Sequence, residues 1–67
     1  MFIEITVDGY YNNGWHERPR RSVCIRLAKI MSVEERTKGT ACITMADGTA
    51  WSTTDKYTDI KERLKEL

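Results

Sequence analysis

Seven residues between positions 10 and 21 bring together most of the side chains in this sequence that could do chemistry. They combine aromatic rings, an imidazole and guanidinium groups in one short polar stretch: Tyr10, Tyr11, Trp15, His16, Arg18, Arg20 and Arg21. Aromatic rings stack on bases and guanidinium forks bind phosphate, so this set suits a nucleic acid. The same residue types anchor protein interfaces. A third interpretation is that the rings fold back over the sheet while the arginines are simply solvated.

A catalytic role would depend on His16, the only histidine in the chain. Next to Glu17 it has the residue type of a general base, and a hydrolase or transferase would need Cys24 or Cys42 brought close to it. The sequence contains no paired metal-ligand spacing, and its glycines mark turns rather than a phosphate loop. We therefore predict a protein that is not an enzyme and that holds no metal and no cofactor.

Length and composition restrict the class of protein. A chain of 67 residues forms one domain with a thin core, and pairing into a homodimer would supplement its stability. The content of hydrophobic residues (40%) and charged residues (31%) is that of a globular chain. The net charge of +1 gives no general attraction to nucleic acid or to an acidic membrane, so a basic site has to be local.

The sequence also predicts a cytoplasmic protein. Met1 leads straight into an alternating strand, without the basic and apolar regions of a signal peptide. No apolar run approaches the ~20 residues that cross a bilayer, so no membrane association is expected. The two cysteines are too few for a disulfide framework, which agrees with a reducing compartment.

The elements that would position the basic aromatic segment are strands. Alternating apolar and polar residues predict strands at residues 2–7, 22–27, 41–45 and 49–53, with another at 31–35 after a kink at 27–30. Asn13-Gly14 and Asp47-Gly48 predict hairpin turns, the first at the tip of a short protruding hairpin. Pro19 has no N–H to donate, which excludes it from a central strand.

A helix closes the chain. Apolar residues recur along one of its faces: Tyr57, Ile60, Leu64 and Leu67. Thr54 or Asp55 is expected to cap its first turn. The predicted fold class is therefore α+β, a small antiparallel β-meander of four to five strands with one C-terminal α-helix packed on one face. The second sheet face mixes polar and small apolar residues. Such a face can be covered either by the segment 10–21 or by a second copy of the chain.

Residues 26–64 resemble the small FlbD-type flagellar and swarming-motility proteins of bacteria. Those proteins have apolar residues at every third position before two glutamates, then a strand, a glycine turn, a second strand and a helix. The matching residues here are Leu27, Ile30, Val33, Glu34, Glu35, Ile43, Met45, Gly48 and Trp51, followed by the helix. The C-terminal half of LytTR-type DNA-binding domains is similar, which implies a DNA-binding role. The segment 10–21 departs from the short FlbD-like opening.

The function we predict is that of a small non-enzymatic regulatory or adaptor module acting through contact with another protein. A mobile-element inhibitor of a host factor would have such a sequence. The alternative that the residues leave open is a nucleic-acid-binding regulator that uses the arginine and aromatic side chains of residues 10–21.

Overall fold

The computed structural model describes residues 1–66 and contains five strands and a helix. The strands are β1 (Phe2–Tyr11), β2 (Trp15–Arg26), β3 (Ile30–Glu35), β4 (Thr40–Met45) and β5 (Ala50–Lys56), and the helix is α1 (Tyr57–Lys65). A short 3₁₀ turn, Leu27–Lys29, replaces the predicted kink between β2 and β3. All strand pairs are antiparallel, which confirms the α+β class. Leu67, the last residue of the predicted helical stripe, lies outside the described residues.

The order of the strands differs from the predicted meander. It is β2-β1-β5-β4-β3, so the first strand pairs with the last and β5 occupies the centre. Val7 pairs with Thr53 and Tyr10 with Trp51 across this junction. The fold thus consists of the β1–β2 hairpin joined edge to edge with a three-stranded meander, β3 to β5. Local alternation in a sequence shows that a segment is a strand but not which distant strand it will meet.

The connection from β2 to β3 shows that the sheet is strongly curled. These strands lie at opposite edges and run in the same direction, yet only three residues join them. In a flat sheet, four strand spacings would separate the edges by about 19 Å even before the strand length is added. The four Cα–Cα steps from Arg26, the end of β2, to Ile30, the start of β3, span at most about 15 Å. The sheet therefore has to curl, and the N–H of Ala46 donates to the Lys29 carbonyl at 2.7 Å.

The hydrophobic core fills the concave face of this curled sheet. The side chains buried there come from three strands, β1, β2 and β4, and from the helix: Ile3, Ile5, Val7, Ile25, Ala41, Ile43 and Ile60. The alternation predicted for residues 2–7 and 41–45 is confirmed. The helix packs on β3, β4 and β5 through Ile60, which is fully buried and stabilises the fold by about 1.5–3 kcal/mol.

The predicted helix cap is wrong. The N-cap position is Lys56, and no side chain caps it. Thr54 and Asp55 lie in β5, where they bind β1 instead: Asp55 Oδ2 accepts the N–H of Thr6 at 2.8 Å, and Thr54 Oγ1 donates to the Thr6 carbonyl at 3.5 Å. The first helical N–H, that of Tyr57, is satisfied by the carbonyl of Gly39 at 2.9 Å.

Both predicted turns are present. Asn13 and Gly14 adopt φ values of 55° and 111°, the left-handed backbone that a tight hairpin turn needs. At the β4–β5 turn, Asp47 Oδ1 accepts the N–H of Thr49 at 2.9 Å, and this hydrogen bond holds the pKa of Asp47 below its usual value. Within residues 1–66, no helix has the length and apolar character of a membrane crossing.

Candidate functional site

Apart from the turn at residues 12–14, residues 10–21 belong to strands β1 and β2. The β1–β2 hairpin continues to its tip, where Tyr11 pairs with Trp15 and Tyr10 with His16. A bulge interrupts the hairpin: the pairing moves from Val7–Arg21 to Gly9–Glu17, leaving one residue of β1 opposite three of β2. Pro19 lies in this bulge of an edge strand, a position that tolerates its missing N–H.

The inner face of the hairpin tip is packed. The Tyr10 ring stacks on His16, with centroids 5.0 Å apart, and meets Trp51 edge-on at 5.7 Å. The Arg18 guanidinium lies over the same ring, 5.4 Å from its centroid. Nε2 of His16 lies 2.9 Å from the Asn12 carbonyl oxygen, which can only accept, so this nitrogen donates. Tyr10 and His16 therefore pack against each other at the hairpin tip, and Nε2 of His16 is held by the backbone of Asn12.

These inner residues continue the core outward. Paired positions form one row across all five strands: Val33, Ile43, Trp51, Tyr10 and His16. Because paired residues on neighbouring strands share a face, the row runs from the buried centre of the sheet to the hairpin tip.

The outer face of the tip carries a second aromatic pair that is open to solvent. The rings of Tyr11 and Trp15 lie 4.9 Å apart, and each side chain is more than 40% exposed. Trp15 also covers Gly9: a Cβ at Gly9 would fall 2.3 Å from the Trp15 ring and 2.7 Å from the His16 carbonyl. Only glycine leaves room for the ring in this position.

A guanidinium lies next to this aromatic pair on the same face. Gly9, which lies beneath Trp15, pairs with Ser52, and the Ser52 hydroxyl accepts a hydrogen bond from Nη1 of Arg36. Trp15 and Arg36 therefore cover neighbouring residues of adjacent strands, which are about 5 Å apart. Sequence reasoning missed Arg36, because its segment reads as a polar turn and comes close to the hairpin only through the β1–β5 pairing.

Arg36 also lines a small pocket at the β1 bulge, with a volume of about 260 Å³. Three cationic side chains, three threonines and one acid surround it: Arg20, Arg36, Lys38, Thr40, Thr53, Thr54 and Asp8. The Oδ1 atom of Asp8 is buried and has no hydrogen-bond partner. The predicted arginine cluster is thus divided: Arg20 joins this pocket, Arg18 covers Tyr10, and Arg21 is exposed on the edge strand.

A larger cavity, of about 560 Å³, lies between the end of β2 and the β4–β5 turn. Val23, Ile25, Met45 and Trp51 give it apolar walls, and charged groups, Arg26, Lys29 and Asp47, lie around it. Sequence reasoning missed this cavity because it exists only through the curl of the sheet.

The cysteines lie away from the histidine. Cys24 pairs with Glu4 and His16 with Tyr10, so the two lie about six residues apart along β1, which is roughly 20 Å in an extended strand. Cys42 pairs with Ser52 and thus belongs to the outer face, and burial raises the pKa of its thiol. The structure therefore does not bring His16 together with Cys24 or Cys42, the pairing that the hydrolase or transferase hypothesis requires. Within residues 1–66, no group of three metal-ligating side chains comes together.

No family model, curated protein or solved structure matches this chain. The resemblance of residues 26–64 to FlbD-type proteins and to LytTR-type domains therefore stays a prediction.

Proposed function

We propose that this protein is a small non-enzymatic regulatory or adaptor module that acts by binding another protein. The contact surface is the outer patch, which we define as Tyr11, Trp15 and Arg36. The observation that supports this proposal is the exposed Tyr11–Trp15 pair, in which each side chain is more than 40% open to solvent although the two rings pack together. Tryptophan, tyrosine and arginine are the residue types that contribute most to protein–protein affinity.

The outer patch is already arranged for binding. Gly9 seats the Trp15 ring, Tyr11 packs against it, and Ser52 holds the Arg36 guanidinium. Side chains that are ordered before binding lose little conformational entropy when a partner arrives. A protein that blocks a host factor, such as the mobile-element inhibitor suggested by the sequence, needs a surface of this kind.

A nucleic acid is the second candidate partner, favoured by the cationic pocket next to the aromatic pair. Bases stacking on Trp15 and Tyr11 would place a phosphate near Arg20, Arg36 and Lys38, the combination that single-stranded nucleic acids require. The net charge of +1 weighs against this candidate, because the general electrostatic attraction is small.

Self-association is the least supported contact. The β2 edge is interrupted by the Pro19 bulge, and the β3 edge carries Glu34 and Glu35, two features that discourage edge pairing between sheets. A homodimer stays a prediction that light scattering coupled to gel filtration checks.

The test is affinity capture with a matched pair of variants. Trp15→Ala removes the main ring of the outer patch, and Phe2→Ala removes a ring that is 58% exposed elsewhere on the sheet. We expect a partner protein to be lost with Trp15→Ala and retained with Phe2→Ala. Capture that is unchanged by Trp15→Ala would refute the proposed surface. A mobility shift with single-stranded nucleic acid that weakens steeply with salt would favour the second candidate.

A further inference from the structure

We propose that the pocket at the β1 bulge is a binding site for hydrogen phosphate, the inorganic phosphate ion that keeps one P–OH group at neutral pH. This goes beyond contact with a protein partner, and it depends on residues other than the aromatic pair of the outer patch.

Positive charge converges on this pocket. Arg20 comes from the bulge of β2, whereas Arg36 and Lys38 come from the β3–β4 turn, and the fold brings all three around one pocket. Within the described residues, the hydrogen bond from Arg36 goes to the neutral Ser52 hydroxyl, and no carboxylate is hydrogen-bonded to any of the three cations. Three cations against the single carboxylate of Asp8 leave the pocket with a net positive charge, which attracts an anion, and guanidinium forks match the geometry of phosphate oxygens.

One carboxylate oxygen of Asp8 has no partner. Its Oδ1 is buried without a hydrogen-bond donor, an arrangement that is rare in proteins and unfavourable. Asp8 is one of the residues around the pocket, and in the proposed complex its side chain turns Oδ1 toward the ligand. The ligand that suits the pocket therefore carries negative charge and also a proton to donate. Hydrogen phosphate has both. Sulfate and carboxylate ions have the charge but no proton at neutral pH.

The size and the remaining polar lining of the pocket also suit a small ion. Its volume is about 260 Å³, which is enough to admit a phosphate ion. Thr40 and Thr54 add hydroxyl groups to the lining. Thr53 is already occupied, since its hydroxyl donates to the Ala41 carbonyl at 2.8 Å.

The experiment is a calorimetric titration of the full chain with inorganic phosphate and, separately, with sulfate at equal ionic strength and pH 7.5. We expect phosphate to bind and sulfate to bind roughly tenfold more weakly, because sulfate leaves Asp8 Oδ1 without a donor. Phosphoserine serves as a third probe. Its phosphate has a second pKa of about 6 and is largely unprotonated at this pH, so it should behave like sulfate.

Three variants identify the residues. Lys38→Ala should weaken phosphate binding several-fold, whereas Lys61→Ala, an exposed lysine on the helix, should leave it unchanged. Asp8→Asn supplies an N–H donor and should reverse the preference towards sulfate. Thermal melts of each variant confirm that the fold is intact. Equal binding of phosphate and sulfate by the native chain, or phosphate binding that Lys38→Ala leaves unchanged, would overturn the proposal. Trp15→Ala should retain phosphate binding, so the phosphate site and the protein-contact surface can be refuted independently of each other.

Discussion

The two faces of the β1–β2 hairpin tip are built from neighbouring residues and differ in how deeply their rings are packed. On the inner face, Tyr10 is half-buried between His16 and Trp51 and extends the core. On the outer face, Tyr11 and Trp15 pair with each other and remain more than 40% exposed. The residue types are almost the same, so composition does not separate a packed ring from an exposed ring. Strand alternation beyond the bulge decides which ring contributes to stability and which is available to a partner.

Gly9→Ala should have the largest effect, because it disturbs both faces. The new methyl group would meet the Trp15 ring and, 2.7 Å away, the His16 carbonyl of the backbone, which cannot rotate aside. We expect a loss of about 2–3 kcal/mol in the free energy of unfolding, measured by urea denaturation. The double variant Gly9→Ala/Trp15→Ala should recover part of this loss. No recovery would show that the ring does not rest on Gly9.

Replacing each tyrosine in turn compares the faces directly. Tyr10→Ala removes the ring that joins His16 to Trp51, and we expect a loss of about 2 kcal/mol in unfolding free energy. Tyr11→Ala removes an exposed ring and should cost less than about 1 kcal/mol. Equal losses in urea denaturation would contradict the division into a packed and an open face.

Thiol labelling tests whether the centre of the outer face, at Cys42, is shielded from solvent. Cys24 is exposed, whereas Cys42 lies partly buried beside Ser52 with its pKa raised by burial. Because the thiolate is the reactive form, Cys24 should react with a thiol probe faster than Cys42 in the native protein at pH 8. Cys24→Ser should abolish the fast phase, and the two rates should converge in denaturant. A native protein with equal rates would show that Cys42 is open to solvent.

Asp47→Ala should have the smallest effect, because it removes only an indirect contact between the β4–β5 turn and the hairpin tip. Asp47 orders Thr49, whose hydroxyl accepts a hydrogen bond from Nδ2 of Asn12 at 3.2 Å. Because its pKa is lowered in the folded state, the Asp47 carboxylate stabilises the fold at pH values above its ordinary pKa of 3.8. This stabilisation disappears as the pH falls through the lower pKa of the folded state. The difference in Tm between the native chain and the variant should therefore be small at pH 7 and narrow further below pH 3.8. A difference that widens in acid would exclude this role for the carboxylate.

The sequence predicts the local features of this fold and misses those that depend on distant pairing. Alternation of Ile3, Ile5 and Val7 marks a half-buried strand, and Asn13-Gly14 marks a turn, because both signals lie within a few residues. Thr54 and Asp55 have the residue types of helix caps, but their side chains form hydrogen bonds with the backbone of β1 instead. That outcome depends on the pairing of β1 with β5.

The same limit applies to the candidate sites. The aromatic residues at positions 10, 11, 15 and 16 are recognisable by type, and their division between the two faces follows once the bulge is known. Arg36, Lys38 and Asp8 carry no such signal. Each belongs to a turn or strand end with an ordinary polar composition, and they line one pocket only because β5 joins the two halves of the sheet.

The central position of β5 has a consequence for how the chain folds during synthesis. The other four strands leave the ribosome before it, yet the N-terminal hairpin and the β3–β4 pair have no shared neighbour until β5 arrives between them. A two-stranded ribbon alone is marginally stable in water. The nascent chain should therefore acquire protease resistance only once residues 50–56 have emerged, and chaperones would meet the aromatic ribbon during the interval.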